Sequence, residues 1–148
     1  MPTYRQVLDD ALLQRIRERA PRYDREGSFF DDDLAELREA GYLTAMVPAE
    51  LGGAGLSLGE MTREQMRLAG AAPATALAVN MHQVWMAVAS ALHARGDSSA
   101  DFVLRQAAAG EVFAFGISEA GNDLVLFGSR TEAKPDGEGG FTFHGPKI

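Results

Sequence analysis

Four groups of residues in this chain have side chains or backbone that could do chemistry. His82 stands between Met81 and Gln83 in a long apolar stretch. A histidine titrates near neutrality and can act as general acid or base, but a lone one on an apolar helix reads first as a hydrogen-bonded core or pocket-wall residue. Glu119 and Asp123 could form a carboxylate pair for acid–base work, yet they flank a Gly-Asn turn and read first as organisers of backbone. Pro48-Ala49-Glu50-Leu51-Gly52-Gly53-Ala54-Gly55 is glycine-rich. It lacks the Lys-Ser/Thr of a phosphate loop and the preceding strand of a dinucleotide fold, so it reads as an irregular connection needing positive φ. Asp31, Asp32 and Asp33 precede a periodic apolar stretch, where carboxylates complement a helix dipole better than they assemble a metal site.

The elements that must position these groups are mostly helices. Val7, Leu8, Ala11, Leu12 and Ile16 recur at three- and four-residue spacing, which predicts a helix over Tyr4 to Ala20, ended by Pro21. Leu34, Leu37 and Ala40 follow the acidic run and Gly41 closes it, a second helix. Ser57 and Glu60 have capping-box spacing ahead of Met61, Met66 and Leu68, a third. Pro73 opens a fourth, whose Leu77, Met81, Trp85, Val88 and Leu92 form one stripe read as core, running to about Arg95 with Gly96 as its stop. Asp101 to Ala109, closed by Gly110, is the fifth.

After Glu111 the period changes to two: Phe113, Phe115 and Ile117 alternate with Ala114, Gly116 and Ser118, the pattern of a strand. Thr131–Lys134 and Phe141–His144 flank Pro135-Asp136-Gly137-Glu138-Gly139-Gly140, which predicts a hairpin with a long loop. Two or three short strands are marginal alone, so the chain reads as a piece of something larger.

Composition bounds the function. Over 148 residues the formal charge is −7, which argues against duplex nucleic acid or an anionic membrane as main partner. The chain has no cysteine, which removes disulfides, thiolate metal sites and a cysteine nucleophile, and its three scattered histidines suggest no metal centre. No leader-like or membrane-length apolar run occurs, and a cytoplasmic protein is the expectation.

Three segments, taken together, resemble the acyl-CoA dehydrogenase family of flavoenzymes. Pro48-Ala49-Glu50-Leu51-Gly52-Gly53 resembles its Pro-x-x-x-Gly-Gly element after the second helix. Ala109-Gly110-Glu111 through Ser118-Glu119-Ala120-Gly121-Asn122-Asp123 resembles its Gly-Glu followed by Ala-x-Thr/Ser-Glu-Pro-x-x-Gly-Ser-Asp. Phe143-His144-Gly145-Pro146-Lys147-Ile148 resembles the Asn-Gly-x-Lys-x-Phe-Ile-Thr strand that comes next. Ala120 replaces the usual proline, the loop is two residues shorter, and Asn122 stands where serine is usual; an asparagine amide can still donate to phosphate.

The resemblance implies a mainly α chain: an N-terminal helical domain over 1–112 and the incomplete start of a middle β-barrel domain over 113–148, with a four-helix domain to follow. It implies FAD between barrel and C-terminal helices, with Phe115, Ile117 and Ser118 at the ring and Asn122 by the pyrophosphate loop and substrate. It further implies that the helix carrying Asn80, His82 and Gln83 lines the substrate pocket. The implied reaction is α,β-dehydrogenation of an acyl-CoA thioester in fatty acid metabolism, within a homo-oligomer, with an electron-transfer flavoprotein as possible acceptor. The family's carboxylate base lies in the C-terminal domain, so no catalytic residue is assigned here, and the 148 residues alone are expected to be inactive and to bind FAD weakly or not at all. Two alternatives stand beside this: a related flavin-dependent monooxygenase, in which His82 assists catalysis, and a non-catalytic helical interaction module without a cofactor.

Overall fold

The Asp9 side chain accepts the Leu12 N–H at 2.6 Å, satisfying one of the donors a helix leaves open, and so starts α1 (Asp10–Glu26). The computed structural model describes residues 5–116, 118–119 and 129–146. The chain divides into two compact units, Met1–Phe113 and Ala114–Ile148.

Helix α1 departs from expectation at both ends. Val7 and Leu8 precede it, their N–H groups donating to Glu64 Oε2 at 3.2 and 2.7 Å. Pro21 lies inside it. Proline removes one ladder donor, but Leu12, Leu13, Ile16 and Tyr23 are buried on one side, and a further buried aromatic outweighs one lost hydrogen bond. The helix ends instead at Gly27, whose φ of 58° is the left-handed cap that glycine adopts without penalty.

Helix α2 (Asp31–Glu39) begins with the acidic run, yet two of the three aspartates do more than meet the dipole, Asp32 pairing with Arg22 at 2.9 Å. Asp33 is fully buried, 2.6 Å from Arg19 Nε, and accepts the Thr75 hydroxyl at 3.2 Å. Helix α3 (Leu58–Ala71) carries the capping box, with Ser57 N–H donating to Glu60 Oε2 at 2.8 Å. Helices α4 (Pro73–His93) and α5 (Asp101–Ala108) complete the unit, together with a 3-10 turn at Ala49–Leu51. Helix α3 packs on α4 and α1, and α4 on α5.

The core stripe of α4 is a correction. Leu77 is 71% exposed and Val88 46%, and Met81 is also exposed, whereas Trp85 and Leu92 are half-buried. The buried face is Thr75, Ala76, Val79, His82, Gln83, Met86 and Ala89. The reason lies in what packs there. The irregular segment 42–46 presents backbone carbonyls, and α4 answers with donors: Gln83 Nε2 to Tyr42 O at 2.9 Å, His82 Nε2 to Leu43 O at 2.7 Å, and Ser90 Oγ to Met46 O at 2.8 Å. A carbonyl buried without a donor would cost more than an apolar side chain left in water.

In the second unit β1 (Glu132–Pro135) pairs antiparallel with β2 (Phe141–His144), Glu132 opposite His144 and Pro135 opposite Phe141. Asp136 Oδ1 accepts the N–H groups of Glu138 and Gly140 and shapes the loop. The strand expected over Phe113–Ser118 does not form among the described residues: 113–116 and 118 lie in no ladder. The Phe113 N–H is donated to a side chain instead.

Candidate functional site

The three residues expected to line one pocket point in two directions. Asn80 and Gln83 face a groove of 390 Å³ between α3 and α4, whose walls include Met61, Gln65, Val84 and Ala87. Their spacing of three, continued by Val84 and Ala87, keeps them on one face of α4. The lining is apolar apart from side-chain amides and Thr62. Gln65 is committed, accepting the Tyr42 hydroxyl and donating to Ala76 O at 2.8 Å. Gln83 Oε1 is buried and unpartnered among the described residues. Such a groove suits an alkyl or aromatic group. Among the described residues its walls carry no ionisable side chain.

His82 is on the core face instead. Nδ1 accepts the Phe113 N–H at 3.1 Å, so the ring proton is on Nε2, which donates to Leu43 O. The Phe113 ring lies alongside at 6.2 Å between centroids. Burial holds the imidazole below its ordinary pKa of 6.5, opposed by the Leu43 carbonyl. Both nitrogens are occupied by backbone, which leaves none to take a substrate proton.

Of the expected cofactor residues, Phe115 is half-buried and Ser118 exposed, with no hydrogen bond to its hydroxyl among the described residues. Ile117 and Asn122 lie outside the described residues. Glu119 is buried and organises backbone: it accepts the Arg130 N–H at 2.7 Å, the Ser129 hydroxyl at 2.6 Å and the Thr131 hydroxyl at 2.9 Å. Its partner Asp123 lies outside the described residues. The glycine-rich stretch is a connection, with Gly52 and Gly55 at positive φ and Gly55 N–H on Val47 O at 2.9 Å.

Glu64 is the residue that periodicity missed. It is fully buried, holds the Val7 and Leu8 amides, and pairs with Arg67 at 3.0 Å. A carboxylate at the helical spacing of Met61 and Leu68 was the available signal.

Comparison with known proteins bears on these residues as a set. Residues 3–111 match the family model described as acyl-CoA dehydrogenase, N-terminal domain. The chain is 32% identical over 123 residues to YdbM of Bacillus subtilis (strain 168), whose name places it with the acyl-CoA dehydrogenases; the match covers 83% of this chain and 29% of YdbM. It is also 32% identical over 158 aligned positions to L-evernosamine nitrososynthase of Micromonospora sp. (strain ATCC 39149 / NRRL 15099 / SCC 1413), covering 99% of this chain and 35% of that protein. Among solved structures, KijD3 in complex with dTDP superposes with a TM-score of 0.72 at 34% identity, over 90% of this chain and 34% of KijD3. The chain spans about a third of the length of the curated relatives it matches.

Proposed function

This chain belongs to the acyl-CoA dehydrogenase family, as its N-terminal domain, and from that premise we propose that the whole protein is an FAD-dependent oxidoreductase. The chain would supply a helical wall of the active site and its first cofactor-facing segment. The observation that carries the reading is the end of the helical unit. The family match over 3–111 runs up to the Phe113 amide held by His82, and the residues just beyond include half-buried Phe115 and exposed Ser118. An exposed hydroxyl can hydrogen-bond the polar edge of a flavin ring, so Phe115 and Ser118 would hold that ring. Ile117 and Asn122 join them in this proposal by their place in the sequence. Flavin, when bound, supplies the two-electron chemistry. Asn80 and Gln83 would contact the apolar part of the substrate in the α3–α4 groove.

Two substrate classes follow from different observations. Dehydrogenation of an acyl-CoA thioester is supported by the family match and by YdbM. Oxygenation of an amine on a nucleotide-bound sugar is supported by the nitrososynthase, which aligns along 99% of this chain, and by KijD3 with its dTDP. In the second reading His82 is not the assisting base, since Leu43 and Phe113 occupy its nitrogens.

The test uses full-length protein. Stoichiometric flavin with thioester-dependent dye reduction supports the first class. Stoichiometric flavin with oxygen consumption that needs a dTDP-amino sugar and reduced flavin supports the second. A folded, active-length protein that takes up no flavin sinks the proposal. Filling the groove with Val84→Trp is expected to raise KM about tenfold with flavin content unchanged.

A further inference from the structure

We infer that His82 is a positioning residue that splices the Leu43 turn to the Phe113 amide and thereby sets where the chain leaves the helical unit for its cofactor-facing segment. This rests on the flavin reading for its consequence, though not for its geometry.

The geometry admits one protonation state. The Phe113 N–H at 3.1 Å requires a lone pair on Nδ1, and the Leu43 carbonyl at 2.7 Å requires a proton on Nε2. A doubly protonated ring would set N–H against N–H at Phe113. The ring is 1% exposed, and burial disfavours the charged imidazolium.

The splice joins two irregular stretches far apart in sequence. On one side is the 42–46 segment, which Gln83 and Ser90 also hold through Tyr42 O and Met46 O. On the other is Phe113, which packs against the hydrophobic core and is the last residue of the unit. Helix α5 stops at Ala108, and the helix-end bonds reach only Glu111, whose N–H donates to Gln106 O at 3.0 Å. From there to Phe113 the His82 nitrogen is the hydrogen bond that fixes the backbone among the described residues. Phe115 follows two residues later and Ser118 five, so Phe113 is the fixed point from which the chain runs on to the positions proposed to meet the ring.

The experiment has an arm that needs no variant and no substrate. Imidazole ¹⁵N spectra of the full-length protein are expected to show His82 neutral, protonated on Nε2, throughout the neutral range; a ring titrating at its ordinary 6.5, or protonated on Nδ1, overturns the inference. Amide exchange at Phe113 is expected to quicken about tenfold in His82→Ala while amides in α3 keep their rates, the loss of one hydrogen bond. His82→Gln, which keeps a donor and an acceptor, is expected to recover part of that protection and to bind flavin with a visible band closer to wild type than His82→Ala. If His82→Ala abolishes turnover with Phe113 exchange and the flavin band unchanged, His82 is a proton carrier and the splice is wrong. If wild type binds no flavin while the exchange results hold, the flavin reading fails and the splice stands.

Discussion

His93 and His82 sit on one helix and respond to pH in opposite senses, which makes each a control for the other. His93 Nδ1 lies 2.8 Å from Asp101 Oδ1 and Nε2 lies 3.4 Å from Glu50 Oε1. Asp101, then Glu50, holds its pKa above the ordinary 6.5. A raised folded pKa means stability that is complete below 6.5 and is lost as pH climbs through the folded value. The denaturation midpoint is therefore expected to fall on the alkaline side of 6.5, and His93→Gln to flatten that limb. His82 is held below 6.5 by burial, so its contribution is complete above 6.5 and is lost as pH falls toward the folded value. His82→Gln is expected to flatten the acid limb and leave the other. Urea titrations across pH read both. The sequence placed both histidines on the long helix, but not their partners: Asp101 is 8 positions from His93, and Leu43, Phe113 and Glu50 are 31 to 43 positions away from the histidine each meets.

The elements follow local rules wherever a rule is written in adjacent residues. Ser57 and Glu60 form the expected box, and Ser57→Ala is expected to cost about 1 kcal/mol in chemical denaturation. The glycine-rich connection obeys a tighter constraint than φ. A Cβ on Gly53 would overlap Val47 O and Val47 Cβ and lie 2.6 Å from Thr44 O, and backbone cannot step aside as a side-chain tip can. Gly53→Ala is expected to cost more than about 2 kcal/mol, read as a lowered midpoint with unchanged slope. Local rules failed where burial overrode them. Pro21 signalled a helix end, yet Tyr23 beyond it is buried and the helix continues; the Leu77–Val88 stripe signalled core, yet the carbonyls of 42–46 claimed the opposite face for His82, Gln83 and Ser90. The Phe113–Ser118 alternation signalled a strand, yet among the described residues 113–116 and 118 lie in no ladder, since alternation does not specify which segment pairs with it.

At the scale of the molecule the two units differ in how they are held. The helical unit has a contiguous core that includes Leu8, Ile16, Leu37, Leu68, Met86 and Leu104, whereas every residue of β1 and β2 is exposed. The single tryptophan, Trp85, packs against that core, so its fluorescence is expected to report one cooperative transition coincident with helical circular dichroism. In this 148-residue chain the amides of β1 and β2 are expected to exchange near free-peptide rates, since a hairpin without a buried face is marginal. Protection there equal to that of α3 would contradict this. Composition, periodicity, capping spacing and three short motifs were enough for a mainly helical chain of the acyl-CoA dehydrogenase family, because each is a property of neighbouring residues or of their order. Which face of α4 is buried, that Glu64 clamps the Val7 and Leu8 amides, and that the His82 nitrogens meet the Leu43 carbonyl and the Phe113 amide were decided only by the tertiary structure. Each depends on a polar group brought from a distant segment, and a donor or acceptor without its partner is invisible in one dimension.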